Sequence, residues 1–358
     1  MNGNYNYSYE QPQDLYAEYS NKKIKEAKRV FSRFFFGIAL LWASSNLISV
    51  LGQMLILRFR PALLESIYFR WFFGVAPIYL VGLPILFFFV KNMKTQTRKQ
   101  RKMTPFGFLK YFFMANACMY AGSIIGNIFN SFLGVFTGDV PENTTSELIS
   151  ASPVWLIILV SVILAPIVEE FIFRKLMIDR LSRFGEGLAI FASALAFGLF
   201  HGNFYQFFYS FLIGLLLGYI YAKTGNVIYS ILLHAAVNFI GSVATVPILK
   251  YFEKLQEISF SIENGENVAT NDLLKTVMAL SSYTIIQYAL LVLGIVFLTI
   301  YLRKKLFKIS PVCEFIVPRD KRTSVLIGNP GAIVFFAFSA FAMLFEIVLP
   351  LISSIGGA

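Results

Sequence analysis

Charge is scarce in this chain. Asp, Glu, Lys and Arg make up 14% of it against 57% hydrophobic residues, and the mean hydropathy is +0.66. That balance excludes an ordinary water-soluble globular domain. Histidine and cysteine are scarcer still, two of each. Cys118 lies inside an apolar run and Cys313 in a late polar loop, neither with a CxxC partner, which argues against a disulfide framework or a zinc-thiolate site. There is no HExxH, so the zincin pair of histidines one helical turn apart is absent. No serine has the flanking glycines of a GxSxG elbow, and Gly138-Asp139 falls in a loop, which disfavours a serine or aspartyl intramembrane protease. Nor is there a repeat of fixed period. The first 30 residues, rich in Asn, Tyr and Gln, lack the apolar core of a cleaved signal peptide.

What the chain does have is apolar runs long enough to cross ~30 Å of hydrocarbon. They fall at 31–57, 67–90, 106–136, 153–182, 187–202, 204–222, 226–248, 277–302 and 331–354. The fold class expected is all-α, a polytopic helical transmembrane bundle of eight to nine membrane helices. Nine crossings is the favoured count, with the short fifth and the last the weakest. The net charge of +11 suggests nucleic acid, yet the basic residues cluster beside the apolar runs. Orientation in a lipid bilayer explains them, and no nucleic-acid partner is expected.

Lys91–Lys102 carries Lys94, Arg98, Lys99 and Arg101, whereas 137–152 has Asp139, Glu142 and Glu147 and no basic residue. The first is expected in the cytoplasm and the second outside, and Arg303, Lys304, Lys305 and Lys308 mark another cytoplasmic end. The chain then reads as an integral protein of a bacterial plasma membrane with its amino terminus inside. Its expected organisation is a disordered tail over 1–30, helices over 31–150, a helical core over 151–248, a polar external segment over 249–276 with a turn at Asn264-Gly265, and helices over 277–358. Gly214 and Gly218 make a small-residue face, as do Ser193, Ala194, Ala196 and Gly198, favouring close helix packing in the core.

Against this background the ionisable residues stand out. An ionisable group at mid-bilayer costs on the order of 2.5–3.5 kcal/mol on insertion scales, so it needs a reason to be there. The fourth run contains Ala165-Pro166-Ile167-Val168-Glu169-Glu170-Phe171-Ile172-Phe173-Arg174. Glu170 and Arg174, four apart, share a helical face and can pair. Glu169 points about 100° away and is left as the free base. Pro166 removes one backbone hydrogen bond from the preceding turn. The fifth run ends Phe197-Gly198-Leu199-Phe200-His201. Glu169 and His201 are each sixteen residues from Gly185, so an antiparallel hairpin turning there sets them at one depth, able to hold a water between them. The seventh run carries His234 and Asn238, an imidazole and an amide on one face, suited to a developing oxyanion. Simple rise arithmetic puts His234 about half a bilayer deeper than His201 unless the sixth run tilts or breaks.

At these residues the chain resembles the CPBP family, the CAAX-protease and bacteriocin-processing (Abi) membrane proteins. Its pattern EExxxR, FxxxH and HxxxN is matched in order by Glu169-Glu170-Arg174, Phe197-His201 and His234-Asn238. The resemblance implies an intramembrane endopeptidase acting on a prenylated or leader-type peptide at the bilayer. It further implies Glu169 and His201 as water activators, His234 and Asn238 as the oxyanion hole, and Glu170 and Arg174 as supporting residues. Lys175 stands where many members carry glycine. The scheme requires no cofactor, although Glu169, His201 and His234 together could bind Zn²⁺. Two readings of another class stay open: a non-catalytic bacteriocin-immunity or scaffold protein, and a proton-coupled transporter.

Overall fold

Helices that face lipid on one side and protein on the other need no narrow apolar stripe, and these are apolar almost all round. The computed structural model describes residues 12–138, 140–141, 143–264, 270–309 and 313–356. Among the described residues, eight helices are long and apolar enough to cross a membrane. In chain order the helices are α1 (Pro12–Phe59), α2 (Ile67–Val90), α3 (Pro105–Thr137), the short α4 (Thr144–Ser150), α5 (Val154–Phe184), α6 (Glu186–Phe200), α7 (Phe204–Thr224), α8 (Val227–Glu263), α9 (Thr270–Arg303), α10 (Arg319–Leu326) and α11 (Pro330–Gly356). Among the described residues there is no strand. The fifth apolar run becomes α6, whose 15 residues span only ~22 Å.

Among the described residues, the two largest of five apolar clusters divide the bundle. One joins α1, the end of α2, α5, α6, α10 and α11 around Phe31, Phe35, Phe173, Phe197 and Phe335. The other joins α3, α7, α8 and α9 around Met114, Leu217, Leu233 and Tyr301. Close approach across small residues binds the centre: a Cβ on Gly214 would sit 3.1 Å from Ala194 Cα, and one on Gly218 would sit 3.0 Å from Ile190 Cγ2. The expected small-residue faces of α6 and α7 are therefore in contact.

The two ends of the bundle differ in chemistry. At one, Gly185 turns α5 into α6 at φ 124°, a conformation open to glycine. The basic loop before α3 folds over this turn: Gln96 N–H donates to the Asp179 carbonyl, and Arg98 pairs with Asp179 at 3.2 Å and Glu186 at 2.6 Å. Arg183 adds ion pairs to Glu26 and Glu314. At the other end, Tyr205 OH donates to the Pro141 carbonyl and Trp71 Nε1 to Ser152 Oγ, both at 2.7 Å. These bonds tie the α4 region to the first turns of α7 and α2.

Two expectations are revised. The tail expected to be disordered over 1–30 is helical from Pro12 onward, while residues 1–11 lie outside the described residues. Lysines mask an apolar stripe there: Ala27 and Phe31 are fully buried, and Glu26 reaches Arg183. The segment 249–276 is largely the facing ends of α8 and α9, joined by Lys254 and Asp272 at 3.6 Å. Gly265 of the expected turn, like Asp139 and Glu142 of the acidic loop, lies outside the described residues.

Candidate active site

Three π-helical turns surround the ionisable residues: 158–164 before Pro166, 171–178 after the two glutamates, and 239–243 after Asn238. Such widened turns release backbone groups for other partners and often occur at functional sites. Pro166 has no N–H to give. Five residues back, at π spacing, the Ser161 carbonyl accepts instead from Asn238 Nδ2 at 2.8 Å.

The acidic pair divides as the spacing predicts. Glu170 and Arg174 are both fully buried, with Arg174 Nε 2.9 Å from Glu170 Oε2. Arg174 Nη1 also donates to Ser193 Oγ at 2.9 Å, and Ser193 donates on to the Phe173 carbonyl. The guanidinium lies 5.0 Å over the Phe197 ring, a cation–π contact in place of water. Glu169 keeps partial access, its side chain 19% exposed, and faces the cavity.

The histidines come together more closely than the rise arithmetic allows. His234 Nδ1 donates to Glu170 Oε1 at 3.1 Å, and its Nε2 lies 3.7 Å from Glu169 Oε2. The half-bilayer offset is thus corrected. Helix α7 is unbroken from Phe204 to Thr224, so a break does not supply the correction. Contacts between neighbours do. Ser230 Oγ bonds the Leu217 carbonyl, so one turn further on His234 lies level with Ile213, and the adjacent Gly214 packs on Ala194 and Phe197. Phe197 then wedges between the imidazoles, its ring edge-on to His201 at 5.1 Å and to His234 at 5.5 Å. His201 Nδ1 donates to the Phe197 carbonyl at 2.8 Å, which leaves Nε2 as its free ring nitrogen. Gly202, at φ 69°, reverses the chain directly after it.

Glu169, His201, His234 and Asn238 line one cavity of about 380 Å³ on the seam between the two cores. Met119 of α3, Ile213 of α7 and Val237 of α8 form its apolar wall, with Ser123, Asn127 and Tyr209 as polar groups. A second cavity of about 740 Å³ lies against α1 and α2, and Glu169 and His201 line it too, with Thr145 and Gln206. Glu169 and His201 thus share the position where the two chambers meet. Sequence reasoning missed Phe197 as the wedge, Ser193 as the Arg174 partner and the polar α1 wall of the larger chamber. The first was present only as the Phe of FxxxH; the others carry no local signal.

Among the described residues no group of three or more His, Cys, Asp or Glu side chains is arranged to hold a metal ion. Lys175 reaches Asp179 at 2.9 Å, away from the cavity. Both cysteines are free thiols.

Residues 151–240, about a quarter of the chain, match the Rce1-like family model, described as type II CAAX prenyl endopeptidase Rce1-like. The matched stretch contains Glu169, Glu170, Arg174, His201, His234 and Asn238. Neither the curated proteins nor the solved structures give a match.

Proposed function

We propose that this membrane-embedded protein is an endopeptidase in which Glu169, assisted by His201, activates a water for attack on a peptide carbonyl. The single observation that carries the reading is the position of Glu169. It is the accessible member of the acidic pair, it lines both chambers with His201, and its neighbour Glu170 is committed to Arg174 and His234. A base must reach its water, and a buried, doubly paired carboxylate cannot.

Glu169 takes a proton from water held between it and His201 Nε2, and the resulting hydroxide adds to the scissile carbonyl. His234, set between Glu170 and Glu169, turns Nε2 to the oxyanion as a hydrogen-bond donor. Asn238 contributes the amide hydrogen that is not bound to Ser161. As the tetrahedral intermediate collapses, the proton carried by Glu169 or His201 passes to the leaving amine. Arg174 and Glu170 hold the His234 ring in one orientation.

The substrate we propose is a membrane-associated peptide, prenylated or leader-type. The basic end of the bundle, with the amino-terminal lysines, belongs in the cytoplasm. The test is cleavage of a peptide pool by the purified protein in detergent. Cleavage by the wild type that is lost in Glu169→Gln, with melting unchanged, supports the reading. Equal cleavage by both proteins overturns it.

A further inference from the structure

We infer that the catalytic chambers open on the side of the membrane opposite the basic end, so that the substrate is a peptide segment reaching them from the extracytoplasmic leaflet. The inference deepens the protease reading and rests on it for the word substrate; the sidedness itself rests on geometry and on the distribution of charge. It selects the leader-type peptide over a prenylated cytoplasmic tail.

The first observation is depth. Gly185 turns the α5–α6 hairpin at the basic end, where Arg98 is clasped by Asp179 and Glu186. His201 follows sixteen residues later, a rise of ~24 Å out of ~30 Å of hydrocarbon. Glu169, sixteen residues earlier on the antiparallel α5, reaches the same level. The chemistry thus sits in the far third of the bilayer.

The second observation is what bounds the chambers. Thr145 and Ser146 of α4 line the smaller one, while Gln53 near the end of α1, Leu64 in the turn after it and Arg70 in the first turn of α2 line the larger. All belong to the end away from the basic loop. Among the described residues, none of 91–104, 179–186 or 303–329 lines either chamber. That end is closed by ion pairs and by the apolar core beneath them.

The third is charge. Lys94, Lys99, Lys102, Lys304, Lys305 and Lys308 gather at the closed end, whereas the open end mixes Arg58, Arg60, Lys250 and Lys254 with Glu65, Glu147, Glu253 and Glu257. The positive-inside bias places the closed end in the cytoplasm. In the larger chamber Asn46, Ser49 and Gln53 offer hydrogen bonds to an extended peptide backbone, and Arg70 offers a cation to an acidic residue or a free carboxylate.

Cysteine accessibility tests this without any assumption about catalysis. In a Cys118→Ala, Cys313→Ser background, single variants Gln53→Cys, Ser146→Cys and Lys99→Cys are exposed to a membrane-impermeant charged maleimide. Right-side-out and inside-out vesicles are compared, with detergent-solubilised protein as the measure of full reactivity. We expect Gln53→Cys and Ser146→Cys to react at least ten-fold faster in right-side-out vesicles, and Lys99→Cys to show the reverse. Reaction of Gln53→Cys and Ser146→Cys from the Lys99 side, from both sides equally, or only in detergent overturns the inference. Peptide cleavage by Glu169→Gln in detergent is scored separately. Outward labelling with no loss of cleavage sinks the protease assignment alone, and inward labelling with loss of cleavage sinks the sidedness alone.

Discussion

His234 gives its Nδ1–H to Glu170 at 3.1 Å and turns Nε2 towards Glu169 at 3.7 Å. One imidazole therefore separates two adjacent carboxylates into different tasks. Glu170, fully buried, is held by Arg174 and orients the ring, while Glu169 stays open to the cavity.

Glu169→Gln removes the base and keeps the shape. Cleavage should fall by about 10²–10⁴-fold, the usual contribution of a positioned base, with the melting temperature in detergent shifting little. Parallel turnover and thermal unfolding check it; a large loss of stability would mean that Glu169 is structural.

Glu170→Ala should act in the opposite sense. It leaves the Arg174 guanidinium buried without its carboxylate, at a cost of about 3–5 kcal/mol. The double variant Glu170→Met, Arg174→Met should recover a large part of that loss while staying inactive, because two apolar side chains leave no unpaired charge. Unfolding of the two variants in a mild detergent distinguishes them, and equal destabilisation would show that the pair's charge is not what matters.

Asn238→Ala strips the Ser161 carbonyl of its donor beside Pro166. Side-chain hydrogen bonds in membranes are modest, so a loss of about 1 kcal/mol is expected. The drop in kcat should exceed what that instability explains if the second amide hydrogen serves the oxyanion, with KM nearly constant. A change confined to KM would remove Asn238 from the reaction.

Phe197→Leu keeps an apolar side chain but withdraws the ring between the two imidazoles and beneath Arg174. We expect a stability loss of about 1–3 kcal/mol and a larger proportional loss of cleavage, because His201 and His234 lose their common support. Retained turnover with the stability loss alone would make Phe197 ordinary packing.

At the basic end of the bundle, Glu314 lies outside the membrane-spanning helices, and the Arg183 guanidinium bonded to it at 2.9 Å holds its carboxyl below the usual carboxylate range. A carboxyl depressed in the folded state stabilises above its unfolded value and stops doing so as pH falls through its folded one. The melting difference between wild type and Glu314→Gln should be present near neutral pH and vanish well below pH ~4. A difference independent of pH would mean that the carboxylate charge is not involved.

Much of the site was legible because helical spacing is local. The Glu170–Arg174 pair follows from i,i+4 geometry, and the shared level of Glu169 and His201 follows from equal counts about Gly185. The level of His234 was not legible. It depends on how α7 packs between α6 and α8, through Gly214 against Ala194 and Ser230 against Leu217, contacts that no single segment reveals. The amino-terminal helix was hidden for a related reason: Glu26 has no apparent use until Arg183 and Glu314 arrive.

The sequence by itself determined the rough bounds of the membrane helices, the basic and mixed-charge ends, and the pairing of Glu170 with Arg174. Those properties depend on hydrophobicity, helical period and rise, all readable within one segment. Only the tertiary structure decided that Glu170 rather than Glu169 would bind and orient His234, that Asn238 would mend the gap left by Pro166, and that the chambers would meet at Glu169 and His201. These are choices among partners of equal chemistry, and packing between distant helices is what selects among them.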